Sequence, residues 1–369
     1  PRAPVPTWPA QPPILMKDTF QALPIDEHQA DLFFKSGGTS GTPKISVFSY
    51  TDYYTQMQAA AEGLLAGGLD PASDRVMNLF YAGGLYGSFV SFHTILENLR
   101  AVQLPMAAHL ETDFVAKMIV HHRVNTLFGM PSYLLRLFED QREILVRYRG
   151  IEKIYYGGEH LSDARRKYFM DTFGVRLIRS AAYGSVDAGP LGFQCQHCLG
   201  GIHHLFSNIQ HLEIVQSDAD VPVPNGEVGR LLFTPLARHA QKVERYEIGD
   251  LGRWVPGPCP CGRSAPRFEL LGRVGDVIRA GATFINYAKI EHVLAQELGF
   301  GGEFQLVIQA PTTHSGNERL TVRIAQIPEV PLPDPTRIRD LLIEHYNEIR
   351  VAVTEEDFLD LDVEICPAG

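Results

Sequence analysis

From about Leu32 onward, short apolar runs alternate with stretches of helical spacing. Over 49–65, Tyr53, Met57, Ala60, Ala61 and Leu64 recur every three to four positions, which predicts a helix with one buried face. Thr126–Gly129 reads as a strand, with 133–138 helical after it. Lys153–Tyr156 is an apolar strand ending in Gly157-Gly158, 164–173 is helical, and 175–178 is a further strand. Segment 77–96 carries no Asp, Glu, Lys or Arg over 20 positions. That length could span a bilayer, but Asn78, Gly83, Gly84, Gly87, Ser88, Ser91 and His93 interrupt it, so it is expected to be buried wall and not membrane.

Strand and helix alternation predicts an α/β fold with a largely parallel sheet and covering helices. Residues 201–254 read differently, as short strands between turn residues, and predict a small β-rich, antiparallel or barrel-like subdomain. After Gly272 a new pattern starts. Asn286 is placed to cap a helix through Leu298, 304–309 and 320–327 look like paired strands, 328–335 is a proline-rich link, and 336–349 is helical. The expected organisation is therefore a proline-rich arm and lead-in (1–31), a large α/β body (32–271), and a smaller, mobile C-terminal α+β lobe (272–369). Six prolines among the first thirteen residues predict that the arm starts extended.

The 369 residues are 45% apolar and 21% charged, ordinary values for a globular chain. A net charge of −10 argues against a nucleic-acid partner, which would call for cationic surface. Five cysteines in this length make no disulfide scaffold; four fall in two close pairs, which suggests metal in a reducing compartment. No secretory leader is legible at the start, so a cytoplasmic location with no membrane partner is expected.

The sharpest local signal is Ser36-Gly37-Gly38-Thr39-Ser40-Gly41-Thr42-Pro43-Lys44. Glycines allow backbone amides to turn toward an anion, hydroxyls add donors, and lysine adds charge, so the loop suits a polyphosphate. It is not a Walker A loop, because the position five beyond Gly37 or Gly38 is not glycine and Ile45 follows the lysine.

This loop resembles the phosphate loop of adenylate-forming enzymes, the superfamily of acyl-CoA synthetases, peptide-synthetase adenylation domains and luciferases. Gly157-Gly158-Glu159, Tyr183-Gly184-Ser185-Val186-Asp187, Gly226-Glu227-Val228-Gly229, Tyr246-Glu247-Ile248-Gly249-Asp250 and Gly272-Arg273-Val274-Gly275-Asp276 are similar to that superfamily's later motifs, in its order. Met130-Pro131-Ser132-Tyr133, Gly189-Pro190 and Cys259-Pro260-Cys261-Gly262-Arg263 resemble the phenylacetate-CoA ligase branch. The short length is similar to that of an adenylating protein type from phenazine-antibiotic biosynthesis.

The resemblance implies ATP-dependent activation of a carboxylic acid as its acyl-adenylate. Transfer to CoA, a carrier protein or a reductase would follow, in secondary or aromatic-acid metabolism. It implies that Ser36, Gly37, Gly38, Thr39, Ser40, Gly41, Thr42 and Lys44 hold the ATP phosphates and that Asp187 binds Mg2+. Gly158, Glu159, Tyr183 and Gly184 would line the adenine, and Asp250 would take the ribose hydroxyls. Arg273 would reach the ribose or phosphate, which makes Asp187, Lys44 and Arg273 the expected catalytic set. The acid pocket is expected among Tyr81, Tyr86, Phe128, Gly129, Met130, Pro131, Tyr156, Gly157 and Ala182, whose flat rings suit an aryl acid.

Cys195, Cys198, Cys259 and Cys261 can supply four thiolates, the pattern of a structural zinc site. The resemblance to the phenylacetate branch implies a histidine ligand, which makes His203 the alternative to Cys198. Three departures stand out. Only 35 residues precede the phosphate loop, Gly275 replaces a hinge aspartate, and the superfamily's late catalytic lysine is missing, the last lysine being Lys289. The departures leave a second expectation: a catalytically weak protein of this fold that binds an aryl acid or nucleotide without turnover.

Overall fold

A computed structural model describes residues 11–36, 44–108, 111–159, 161, 163–273, 277–280, 283–309, 317–326, 331–355 and 359–367. The chain divides into two compact units: Pro1–Leu161 with Arg165–Leu270, and Leu271–Gly369 with Ser162–Ala164.

In the first unit, five parallel strands run in the order Val102–Pro105, Arg75–Leu79, Thr126–Gly129, Lys153–Tyr156, Leu177–Ser180. The order reverses between Arg75–Leu79 and Thr126–Gly129. In open α/β sheets the crevice at the carboxyl ends of the strands at such a switch point takes the ligand. Those ends lead here into Phe80-Tyr81 and Met130. The apolar stretch 77–96 resolves into the end of one of these strands and the helix Gly87–Asn98. Among the described residues no helix is long and apolar enough to cross a membrane. The last strand lies two residues later than the apolar pattern predicts. Its parallel register with Lys153–Tyr156 includes Arg179, whose guanidinium bonds the Gln196 and Cys198 carbonyls and so hides as a polar residue in a strand.

The helix Tyr50–Ala66 begins in a capping box: the Ser49 hydroxyl accepts from the Asp52 amide, and Asp52 returns a bond to the Ser49 amide. It buries Tyr53, Met57, Ala60, Ala61 and Leu64. At Gly63 a Cβ would lie 2.8 Å from the Phe206 ring, so only glycine lets this helix approach so closely.

A second sheet has seven strands in the order Gln210–Val215, Gly229–Pro235, Tyr246–Val255, Arg267–Arg273, Ile202–Leu205, Gly189–Phe193, Tyr183–Ser185. The β-rich part thus spans 183–273, more than the 201–254 expected, because the glycine-rich 183–193 segment carries little strand signal. The lead-in is also structural. From Gln11 on, Leu15 bridges Tyr246 in parallel, and Phe20 is wholly buried against the Tyr246 ring at 5.3 Å. Pro12 carbonyl accepts from Arg245 (2.9 Å), whose side chain is fully buried and pairs with Glu213 and Asp220.

The second unit holds the hairpin Val277–Ala280 and Thr283–Asn286, the helix Tyr287–Leu298, and a three-stranded sheet. In that sheet Phe304–Gln309 pairs antiparallel with Glu318–Ala325, as expected. The sequence pattern did not reveal the third strand, Leu359–Cys366, which pairs in parallel with Glu318–Ala325. The expected 336–349 helix breaks at Tyr346, whose hydroxyl accepts from the Asn286 amide (2.8 Å).

Candidate active site and cysteine cluster

Lys44 precedes the strand Ile45–Phe48, and Ser46 lies two residues on, so both side chains point to one face. That face meets Asp187. Lys44 Nζ lies 3.5 Å from Asp187 Oδ2, and the Ser46 hydroxyl donates to Oδ1 at 3.1 Å. Tyr246 closes the group: its hydroxyl donates to Asp187 Oδ2 (2.7 Å) and accepts from Lys44 Nζ (3.3 Å). Asp187 is only 6% exposed, so its charge is held by these partners and not by water. Behind it, buried Arg238 donates to the Asp187 carbonyl (3.0 Å) and to the Val47 carbonyl (3.1 Å) and lies 3.8 Å from the centre of the Phe48 ring. Burial lowers its pKa to about 10, against the opposing pull of Asp187 and Asp52, so it stays charged at neutral pH.

The Tyr246–Val255 strand carries a bulge. Leu232 faces Glu247 and Arg230 faces Leu251, so Leu231 alone stands opposite Ile248, Gly249 and Asp250. Gly249 takes φ +85°, a conformation that favours glycine, and the bulge re-aims Asp250. Asp250, also 6% exposed, accepts from the Tyr183 hydroxyl at 2.6 Å. At Gly184 an added Cβ would be 2.8 Å from the Gly189 carbonyl, which explains the glycine by close backbone approach. Lys44, Asp187, Tyr183 and Asp250 are therefore linked through one strand, Tyr246–Val255. Positions 37–43, which hold Gly37, Gly38, Thr39, Ser40, Gly41 and Thr42, lie outside the described residues. Ser36 is described, and its amide donates to the Lys44 carbonyl (2.9 Å), so the two ends of the loop meet. Arg273 ends its strand exposed, in the second unit.

The expected acid-pocket residues separate into two groups. Tyr81 and Tyr86 are each 41% exposed, and Met130, Tyr156, Gly157 and Ala182 are half-buried. Phe128 and Gly129 are different: Phe128 is wholly buried, 4.9 Å from Tyr155 and 5.4 Å from Phe92, and both belong to the core and not to an open wall. Pro131 is buried as the first residue of the helix Pro131–Asp140. Glu159, expected beside adenine, accepts from the Ser132 amide (2.8 Å) and hydroxyl (2.7 Å), a carboxylate on the otherwise uncapped start of that helix. Gly158 adopts φ +82° over Met130.

Among the described residues one group of donor atoms is compact enough for a metal ion: Cys195, His204, Cys259 and Cys261, all within 4.8 Å of one another. A tetrahedral zinc with Zn–S of about 2.3 Å and Zn–N of about 2.0 Å requires S···S edges of about 3.7 Å and S···N edges of about 3.5 Å. Cys195 and Cys259 sulfurs are 3.6 Å apart, and Cys261 Sγ is 3.5 Å from His204 Nε2. His204 Nδ1 donates to the Ala265 carbonyl (3.0 Å), which leaves Nε2 as the lone-pair atom facing the sulfurs. Burial raises the Cys195 and Cys259 thiols, an opposition to thiolate formation that a divalent cation would offset. The donor set fits zinc. It differs from the expected set in one donor, with His204 in the place of Cys198. Cys198 Sγ lies 3.5 Å from Cys195 but outside the four-donor group. His203, one residue before His204 on a strand, points to the opposite face, 5.7 Å from the Tyr183 ring, where burial lowers its pKa to about 4. The resemblance to the phenylacetate branch pointed to a histidine after the first pair, His203; only the strand's register tells it from His204.

Comparison with known proteins follows the same lines. A profile of the family described as AMP-binding enzyme matches residues 9–234. The phenylacetate-coenzyme A ligase of Thermus thermophilus is 25% identical over 281 residues, 75% of this chain and 62% of that one. The phenylacetate-coenzyme A ligase of Escherichia coli is 26% identical over 294 residues, 79% of this chain and 65% of that one. The chain thus spans under two thirds of the length of these curated relatives. The structure of 2-hydroxyisobutyryl-CoA ligase in an open conformation with 2-HIB-AMP and CoA superposes with a TM-score of 0.73 at 18% identity, over 97% of this chain and 78% of that one, and shares the fold.

Proposed function

Because the chain belongs to the AMP-binding enzyme family, we propose that it activates an aryl carboxylic acid as its acyl-adenylate and passes the acyl group to a thiol, CoA in the first instance. The observation that carries the proposal is the Lys44–Asp187–Tyr246 group joined to Tyr183–Asp250 by one bulged strand. A family profile alone does not require these side chains to meet.

In this reading the acid carboxylate attacks the α-phosphorus of ATP, the bond to the β-phosphate breaks, and pyrophosphate leaves with the electron pair. Catalysis is then positioning and electrostatics. Lys44 neutralises the outer phosphates with the 36–44 loop. Asp187 would hold magnesium through a carboxylate oxygen, and the ion would supply positive charge against the phosphates. Tyr246 and Ser46 orient the Asp187 carboxylate; when Lys44 turns to phosphate, both hydroxyls keep it from being left buried and unpaired. Asp250 takes the ribose hydroxyls, and Tyr183 holds its rotamer. Arg273 is assigned to the ribose or phosphate of the nucleotide. The exposed rings of Tyr81 and Tyr86 and the half-buried Tyr156, at the carboxyl ends of the parallel strands, favour a flat aromatic acid.

Cys195, His204, Cys259 and Cys261 would hold a structural zinc, with four protein donors and so no open position for catalysis. A second reading, ligand binding without turnover, is favoured by the buried apolar side chain of Ile248 two positions before Asp250, which offers no hydroxyl to the site. Acid-dependent exchange of pyrophosphate into ATP, assayed across aryl acids, separates the two. Exchange supports the enzyme, and tight acid binding without exchange supports the binder.

A further inference from the structure

We propose that Gln210 is a positioning residue for Asp187, fastening the backbone of the turn that carries this carboxylate. The proposal rests on the adenylating reading above and adds to it a residue that acts through Asp187.

Asp187 sits in the tight turn between the paired strands Tyr183–Ser185 and Gly189–Phe193, with Ser185 opposite Gly189. Side chains from elsewhere in the chain hold the backbone of this turn. Gln210 Nε2 donates to the Ala188 carbonyl (2.7 Å) and to the Pro190 carbonyl (2.9 Å). Arg238 takes the Asp187 carbonyl (3.0 Å), and the Ala188 amide donates to the Ser185 hydroxyl (3.0 Å). Between the two carbonyls held by Gln210 lies Gly189, at φ +77°, where an added Cβ would collide with the buried Gln56 amide oxygen. Gln210 itself is anchored. It is buried at the start of the strand Gln210–Val215, its amide donates to the Phe206 carbonyl (2.9 Å), and it pairs with Pro235.

The hydrogen bonds of Gln210 are spent unevenly, and that separates positioning from packing. Its nitrogen serves two carbonyls of the turn, whereas its own Oε1 is buried with no hydrogen-bond partner among the described residues. A buried acceptor left unmet is costly, and an apolar side chain of similar length would avoid it. What the glutamine supplies in return is a fixed turn. Asp187 must meet Lys44, Ser46 and Tyr246 within 3.5 Å while presenting a carboxylate oxygen to a cation. A shift of the turn by about 1 Å would spoil that geometry even with every catalytic side chain in place. Outer groups that orient a metal ligand act in this way, through the ligand and not through the ion.

The test uses the full chain with Gln210→Met, which keeps the length and removes both N–H donors, and Gln210→Asn, whose amide is one methylene short of both carbonyls. Acid-dependent ATP–pyrophosphate exchange is titrated with magnesium well below the melting temperature. Paramagnetic resonance of Mn2+ in the presence of ATP gives metal affinity without turnover, and thermal melting reports folding. Both variants are expected to need about threefold more magnesium for half-maximal exchange, to bind Mn2+ with ATP correspondingly more weakly, and to lose about tenfold in kcat, with the KM for the acid unchanged. In the Asp187→Asn background, Gln210→Met should add nothing to the magnesium requirement, because it acts through that carboxylate. Unchanged metal dependence in both variants overturns the proposal. So does a metal effect that adds to that of Asp187→Asn, or a lowered melting temperature with the wild-type magnesium midpoint, which would make Gln210 a packing residue. A wild-type chain that neither exchanges nor binds Mn2+ with ATP would instead overturn the adenylating reading itself.

Discussion

Replacing Asp187 with asparagine removes one charge while keeping shape, and the structure sets what should follow. At the 3.5 Å separation from Lys44 Nζ, an effective dielectric of about 20 gives an attraction of about 5 kcal/mol. Lys44 keeps 19% of its side chain in solvent, so part of that is recovered from water when the partner is lost. Asparagine can still accept from one of the two hydroxyls, Ser46 or Tyr246, but its amide nitrogen must face the other or the ammonium. A net loss of about 2 kcal/mol is expected, or roughly 4–8 °C in melting temperature for a unit of this size. The catalytic effect should be separate and larger. With a neutral oxygen as its only offer to magnesium, the variant should require about tenfold more Mg2+ for half-maximal exchange, and its exchange rate should fall about a hundredfold. Melting curves and a magnesium titration of pyrophosphate exchange check both. A variant that melts lower yet keeps the wild-type magnesium dependence would show that Asp187 only partners Lys44, and would refute its assignment as a metal ligand.

Three further predictions address other parts of the account. The purified chain should carry one equivalent of zinc; Cys198→Ala should retain it, and His204→Ala should bind it more than about tenfold more weakly. Metal analysis after dialysis decides this, and the opposite pattern would restore Cys198 as the ligand. Asp52 is buried, which raises its pKa, but bonds from His239, Ser49 and Ala240 outweigh burial and hold it below 3.8. A depressed carboxyl contributes stability that is complete above its unfolded value and is lost as pH falls through the folded one. Asp52→Asn should therefore lose about 2 kcal/mol at pH 7 and show a shallower decline than wild type below about pH 4; parallel urea-stability curves would contradict this. Gly249→Ala must place a Cβ at φ +85° and 2.7 Å from the Lys17 ammonium, so a stability loss of about 1–2 kcal/mol is expected from backbone strain alone, and an unchanged denaturation midpoint would count against the bulge geometry.

Much of the fold was legible because periodicity is local. The helix through Tyr53, Met57 and Leu64, the strands Thr126–Gly129 and Lys153–Tyr156, and the paired strands of the second unit follow from spacing in short windows. Where long-range pairing decides, the pattern was silent. Arg179 sits in a strand because of its parallel register, Leu359–Cys366 forms a strand only by pairing with Glu318–Ala325, and 183–193 gains its strands by backbone approach at Gly184 and Gly189. The site divides the same way. Asp187 and Asp250 stand in recognisable motifs, but nothing in one dimension shows that Tyr246 connects Asp187 with Lys44 across the chain. Sequence spacing could not tell His203 from His204.

The most direct test of the central claim is mass spectrometry of the protein after incubation with ATP, magnesium and a set of aryl acids. The account predicts a bound acyl-AMP with one acid or a narrow family of them, formed by wild type and strongly diminished in Asp187→Asn. Acid retained at high occupancy with no AMP adduct would contradict it and leave a chain that binds the acid without activating it.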